Sequence, residues 1–234
     1  MKNIAIIPAR SGSKGLKDKN IKLLDGKPLI WYSIQAALDS NCFDEVMVST
    51  DSEKYVEIAK KCGANVPFLR SERTSTDKAS SWDTVREVLV SYKNQEKVFD
   101  NVMLLQPTSP LRNVDDIKNA FALFENNHAT SVVGVCEMEH SPLWSNTLPF
   151  DKRLDNFINS EVKKASGRQS LPTYYRINGA VYLSAINYEN MEFDLFDKSG
   201  FAYVMPQERS IDIDSELDFV IAETIIKRNT ELRG

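Results

Sequence analysis

The sequence predicts an α/β fold built on one mainly parallel sheet, and three observations carry that prediction. Four short apolar runs, residues 4–7, 45–50, 101–106 and 130–137, have the length of strands and are rich in β-branched or aliphatic side chains. Between them lie segments with the i, i+3, i+4 apolar spacing of amphipathic helices, so the order is βαβα, which implies right-handed crossovers. Polar and charged residues gather just after the apolar runs, and the carboxyl ends of strands are where open α/β sheets bind ligands.

The 234 residues suit a single domain, residues 1–234, with a modest appendage. A net charge of −4 argues against a nucleic-acid-binding surface and makes the cations concentrated at residues 10–19 stand out. No apolar run approaches the roughly 20 residues that span a bilayer, and residues 4–7 are too short for the core of a signal peptide. A cytoplasmic protein with no membrane partner is the expectation. Cys42, Cys62 and Cys136 are scattered and odd in number, and with two histidines and no CxxC they indicate neither a disulfide framework nor a zinc site.

Residues 4–7 read as a strand buried on both faces, with Pro8 ending its ladder. The next dozen residues carry Ser11, Gly12, Ser13 and Gly15 and four cations, Arg10, Lys14, Lys17 and Lys19. The glycines let backbone N–H groups turn inward on an anion, while Lys and Arg supply charge for several phosphates. A solvated basic turn is the alternative; the Walker and GxGxxG patterns do not match. Residues 23–28 read as a turn, after which Pro28 opens a helix to about Ser40 with Leu29, Ile30, Ile34, Ala37 and Leu38 on one stripe. Asp51 ends the second strand, and a helix over 52–62, capped by Ser52 or Asp51, closes at Gly63.

Residues 67–81 are polar and rich in hydroxyls, a loop long enough to be functional, and Ser80 or Ser81 caps the helix that runs on to about Asn94. Gln106 ends the third strand against a double-proline turn, either as a ligand position or as a cap for backbone groups. A helix over 115–127 and a strand over 130–137 follow. From 138 to 176 no helix or strand period is sustained, and the scattered aromatics suit an arm that completes a homodimer or a private lid over the site. Residues 179–183 and 202–205 return as strands. Residues 210–216 are extended and lead into a last helix to about Asn229, with Leu217, Val220, Ile221, Thr224 and Ile225 facing inward.

Asp212 and Asp214, two apart in an extended segment, leave the same face. Oxygen-only ligands of this kind suit Mg²⁺, which keeps several waters and adds substrate phosphates; an Asp N-cap before the last helix is the alternative. With the basic first loop the pair makes a nucleoside-triphosphate constellation. His140 beside Pro142 and Trp144 reads as structural, and nothing suggests a Ser-His-Asp or Cys-His nucleophile.

Ile-Pro-Ala-Arg-Ser-Gly-Ser-Lys-Gly-Leu-x-x-Lys-Asn (7–20), Val-Ser-Thr-Asp (48–51), Leu-Leu-Gln-Pro-Thr-Ser-Pro-Leu-Arg (104–112), Arg-x-Asn-Gly-Ala-x-Tyr (176–182) and Ser-Ile-Asp-Ile-Asp (210–214) occur in this order. Together they resemble the acylneuraminate cytidylyltransferases, the CMP-sialic acid synthetases. The resemblance implies a Rossmann-like, three-layer nucleotidyltransferase sheet of GT-A-like kind, with a dimerisation or lid arm over residues 139–177. It implies transfer of CMP from CTP to the anomeric 2-hydroxyl of a nine-carbon 2-keto sugar acid, with release of pyrophosphate. Mg²⁺ is the implied cofactor, with Mn²⁺ as an alternative, and a homodimer the implied assembly.

By the same resemblance Arg10, Ser13, Lys14, Lys19 and Asn20 line the CTP site, with Arg70 and Ser81 on the cytosine side. Lys19 and Arg10 are the implied catalytic cations, Lys19 stabilising charge at the α-phosphate. Gln106, Arg168, Arg176 and Asn178 fall on the sugar side. Asp212 and Asp214 match the metal carboxylates, and Asp214 also serves in deprotonating the anomeric hydroxyl. The same reaction on legionaminic or another nonulosonic acid, a non-catalytic nucleotide-binding protein, and a metal-dependent glycosyltransferase are the competing readings.

Overall fold

Strand β1 (Asn3–Pro8) is where the sheet begins and where it is most deeply buried. Ile4 and Ile6 point to one face and Ala5 and Ile7 to the other, and all four are fully buried. A strand covered on both faces has no reason to alternate polar with apolar, hence the unbroken run in the sequence. The computed structural model describes residues 1–12, 15–155, 157, 158, 162 and 171–231.

β1 lies between β4 (Glu45–Ser49) and β5 (Asn101–Leu104), parallel to both. The sheet continues through β7 (Tyr175–Ala185), β6 (Ser131–Glu137) and the edge strand β8 (Gly200–Val204), in the order β4-β1-β5-β7-β6-β8. β6 and β8 are parallel, whereas β7 runs antiparallel to both β5 and β6. The sheet is therefore mixed, mostly parallel with one reversed strand. β7 reaches further than the expected 179–183, and its overhanging first residues lie at the carboxyl ends of β5 and β6. A two-stranded hairpin, β2 (Leu23–Leu24) with β3 (Lys27–Pro28), occupies the expected turn.

Helices cover both faces. Helix α1 (Leu29–Ser40), α2 (Glu53–Lys61) and α4 (Val114–Asn126) close one side with Ile34, Tyr55, Ala59, Ile117 and Phe121. Helix α3 (Ser81–Lys93) closes the other with Val85, Val88, Leu89 and Tyr92. Ser80 is its cap, in a reciprocal box with Asp83, which resolves the choice between Ser80 and Ser81. Ser52 holds the cap position of α2 without a side-chain bond.

Helix α5 (Glu216–Glu231) departs from the expected orientation. Its inner residues are Phe219 and Ala222, packed with Leu24, Leu29 and Ile213, while Leu217, Val220 and Ile221 are exposed. The start of the helix sets this rotation. Asp218 accepts from the backbone N–H of Asp214 and Ser215 and from the Ser215 hydroxyl, and Lys22 lies over the Phe219 ring. Ser215 and Asp218 thus do the capping that the alternative reading gave to Asp212 or Asp214. Among the described residues no helix is long and apolar enough to cross a membrane.

Candidate active site

The chain leaves β1 for β4 on one side and returns to β5 on the other, so the carboxyl end of β1 is a topological switch point. A cleft of about 450 Å³ opens there, and Arg10, Lys19, Asn20, Arg70, Ser81, Gln106, Asp212 and Asp214 all line it. These residues come from four separate stretches of sequence. Ser13, Lys14 and Arg168 lie outside the described residues.

The first loop is held at several points. Ser11 donates its backbone N–H and its hydroxyl to the two carboxylate oxygens of Asp51, at 2.7 and 3.0 Å. The buried Asn20 donates to the Arg10 carbonyl at 3.1 Å. The Arg10 guanidinium meets Asp77 at 2.6 Å and the Ser75 carbonyl at 3.4 Å, which joins this loop to the 67–81 loop. Lys19, presented by a single tight turn, donates to the Ile213 carbonyl at 2.6 Å and to Asp214 at 3.2 Å. A side chain on Gly15 would meet the Asp214 carbonyl at 2.9 Å, so glycine permits the close approach of the two segments.

Asp212 is held from the Gln106–Ser109 turn. Thr108 hydrogen-bonds its carboxylate, and the Thr108 carbonyl accepts from Ile213 N–H at 2.8 Å. Gly179, at φ 75°, lets β7 pass this turn, since a Cβ there would stand 2.8 Å from Gln106 Oε1. Arg112 props the turn from beneath, fully buried, donating to the Ser109 carbonyl at 3.0 Å and the Ser33 hydroxyl at 2.8 Å. Burial pulls its guanidinium down to about 10. Thr108 and Arg112 carry roles that no local pattern signals; both sit in the double-proline stretch, where Thr108 reads as an ordinary turn residue.

The two aspartates differ. Asp214 is exposed and paired with Lys19. Asp212 is partly buried, and its Oδ1 is a buried atom with no hydrogen-bond partner. Burial raises its pKa and Asp214 adds to this, opposed by the Thr108 hydrogen bond, Lys19 and Arg176. Among the described residues no three His, Cys, Asp or Glu side chains gather into a metal cage of protein ligands alone. Two carboxylates with one buried oxygen unpartnered fit instead a hard cation that takes its other ligands from water and phosphate.

Two expected site residues lie elsewhere. Asn178, expected on the sugar side, is buried, donates to Ser210 Oγ at 3.0 Å and accepts from Ala180 N–H at 3.1 Å. Its amide is spent tying β7 to the segment that leads to Asp212. Arg176 donates to the Ser210 carbonyl at 2.9 Å and lines a neighbouring depression with Glu137, His140 and Gln207.

The family profile described as Cytidylyltransferase matches residues 4–223. The chain belongs to the cytidylyltransferase family. Membership makes it a nucleotidyltransferase. The N-acylneuraminate cytidylyltransferase of Streptococcus agalactiae serotype V is 40 % identical over 223 residues, covering 94 % of this chain and 52 % of that protein. The CMP-N,N'-diacetyllegionaminic acid synthase of Legionella pneumophila is 36 % identical over 239 residues, covering 99 % of each. The chain thus spans about half the length of the streptococcal relative and nearly all of the other. A structure of CMP:2-keto-3-deoxy-manno-octonic acid synthetase complexed with CTP superposes with a TM-score of 0.72 at 16 % identity, covering 98 % of this chain and 100 % of that one, which shows the shared fold.

The buried Asp212 yields a stability prediction. A carboxyl whose pKa is raised by folding binds its proton more tightly folded than unfolded, so stability falls as pH rises through that pKa. Asp212→Asn removes the buried charge. In metal-free buffer at neutral pH the variant should melt at a higher temperature than wild type, and the gain should fade in acid, where the wild-type carboxyl is protonated too. A variant less stable than wild type at both pH values contradicts the raised pKa.

Proposed function

We propose that this cytidylyltransferase transfers CMP from CTP to the anomeric 2-hydroxyl of a nonulosonic, sialic-type acid, giving the CMP-sugar and pyrophosphate. The observation that carries the proposal is the convergence of Arg10, Lys19, Arg70, Asp212 and Asp214 on one cleft at the switch point. Cations for a triphosphate and carboxylates for a metal line the same cleft. The relatives' names, one for an N-acylneuraminate and one for a diacetyllegionaminic acid, support the substrate class and leave two acids as alternatives within it.

In this reading Arg10 and Asn20, with Ser13 and Lys14, hold the triphosphate, and Arg70 and Ser81 hold the cytosine side. Asp212 and Asp214 would hold Mg²⁺, or Mn²⁺ in its place, and the ion would neutralise charge on the pyrophosphate leaving group. Gln106, Arg168 and Arg176 serve to recognise the sugar acid, a guanidinium being well shaped for its carboxylate. The 2-hydroxyl oxygen attacks the α-phosphorus in line, the bond to the bridging oxygen breaks, and the hydroxyl proton passes toward Asp214. Lys19 stabilises the charge that develops at the α-phosphate, as phosphoryl transfer requires of preorganised cations.

The 139–177 arm joins two copies into a homodimer. Trp144, Leu148, Phe150 and Leu154 are exposed along it, and exposed large apolar side chains of this kind suit an interface between copies. The enzyme works in the cytoplasm, where CTP is made available to it.

Pyrophosphate release tests the reading, with CTP and Mg²⁺ against N-acetylneuraminic, legionaminic and pseudaminic acids and 3-deoxy-octulosonate, and with UTP and ATP as controls. Turnover with CTP and one nonulosonic acid is the expected result; silence across the panel while CTP still binds rejects it. Lys19→Ala should lower kcat by about 100-fold or more. A change confined to KM makes Lys19 a binding residue only.

A further inference from the structure

Arg70 enters the cleft under constraint. It is 8 % exposed, its backbone N–H donates to the Thr50 carbonyl at 2.8 Å, and its guanidinium donates to the Thr74 carbonyl. Its Nε is buried and has no partner. The turn that supplies the Thr74 carbonyl, residues 72–74, is a single turn of helix, too short to hold its shape by its own hydrogen bonds.

Glu87 on α3 supplies what the turn lacks. One carboxylate oxygen accepts from Ser71 N–H at 2.8 Å. The other accepts from the hydroxyls of Ser71 and Thr74, the latter at 2.9 Å. Ser75 closes the turn by donating its hydroxyl to the Ser71 carbonyl at 2.7 Å. Burial pushes the Glu87 carboxyl up, but the bonds from Ser71 and Thr74 and the charge of Arg73 hold it below its ordinary range, so it stays ionised. Its side chain is 15 % exposed, does not line the cleft, and its charge reaches the Arg70 guanidinium.

We propose that Glu87 is a positioning residue that sets nucleobase selectivity, by fixing the turn on which the Arg70 guanidinium rests. The proposal depends on the reading that CTP occupies the cleft. Cytosine presents adjoining acceptors at O2 and N3, whereas uracil presents a donor at N3. A fixed N–H donor accepts the first edge and leaves the second with two donors opposed, the kind of mismatch on which polar discrimination rests. A guanidinium free to swing tells the two apart less well.

The experiment is kcat/KM for CTP and UTP with the full chain, in wild type, Glu87→Ala and Glu87→Gln. Glu87→Ala should lower the CTP-over-UTP ratio by about 10-fold through the KM for CTP, the scale expected when a contact loses its registry. Its kcat with CTP should stay within about threefold of wild type, since no group in the reacting centre is lost. Glu87→Gln, which keeps an acceptor for Ser71 N–H, should recover most of the ratio. Should Glu87→Ala fail to fold, Thr74→Val removes one of the same bonds and should move the ratio in the same direction by less. Equal loss for both nucleotides, beside a selective wild type, overturns the role of Glu87 alone. A wild type that uses both nucleotides equally overturns it together with the CTP reading.

Discussion

Full burial of β1 is the constraint on which the rest depends. Its backbone is paired on both edges, by β4 and by β5, and its side chains are buried on both faces. Such a strand leaves the chain one direction to go, and Pro8 and Ala9 deliver it straight into the loop of Arg10 to Lys19. Because β4 and β5 lie parallel on opposite sides of β1, their ends add Asp51 and Gln106 to the same rim. The reversed strand β7 then brings Arg176 to Gly179 back to that rim, and with it the segment that carries Asp212 and Asp214.

At the rim the positive groups of the first loop are matched by carboxylates of the same chain. Arg10 meets Asp77 and Lys19 meets Asp214. Ion pairs as exposed as these are worth about 0–1 kcal/mol each, so exchanging a carboxylate for a phosphate costs little. Asp212 is different: it is placed by Thr108 and by the backbone bond from Ile213, with one oxygen buried and unanswered. Unmet polar groups of this kind are tolerated where a function uses them.

Most of the layer order was legible in the sequence, because a strand buried on both faces and a helix buried on one leave different periods. The cap at Ser80 and the left-handed Gly63 placed helix ends within a residue or two. Strand direction leaves no period, so the reversal of β7 could not be read. The face of α5 was misjudged for a related reason. Leu217, Val220 and Ile221 have helical spacing, but so do Phe219, Ala222 and Ile226, and the choice falls to the Ser215–Asp218 cap and to Lys22 on Phe219. In the site, the charged residues were visible because cations and glycines at a strand end have few other uses. The burial of Asn178 could not be read, because a polar residue in a motif looks the same whether it faces a ligand or holds two segments together. Glu87 carried no signal, since it works through a turn on another stretch of the chain, and the prop that Arg112 gives its own neighbouring turn leaves no pattern in the sequence.

The central claim is that Asp212 and the basic loop form one site for a metal–triphosphate complex, and its most direct test is the calorimetric affinity for CTP with and without Mg²⁺. The account predicts that Mg²⁺ tightens CTP binding to wild type by about tenfold or more and that Asp212→Asn abolishes the increment while weak, metal-independent binding remains. An affinity indifferent to Mg²⁺, or an increment that survives in Asp212→Asn, contradicts it.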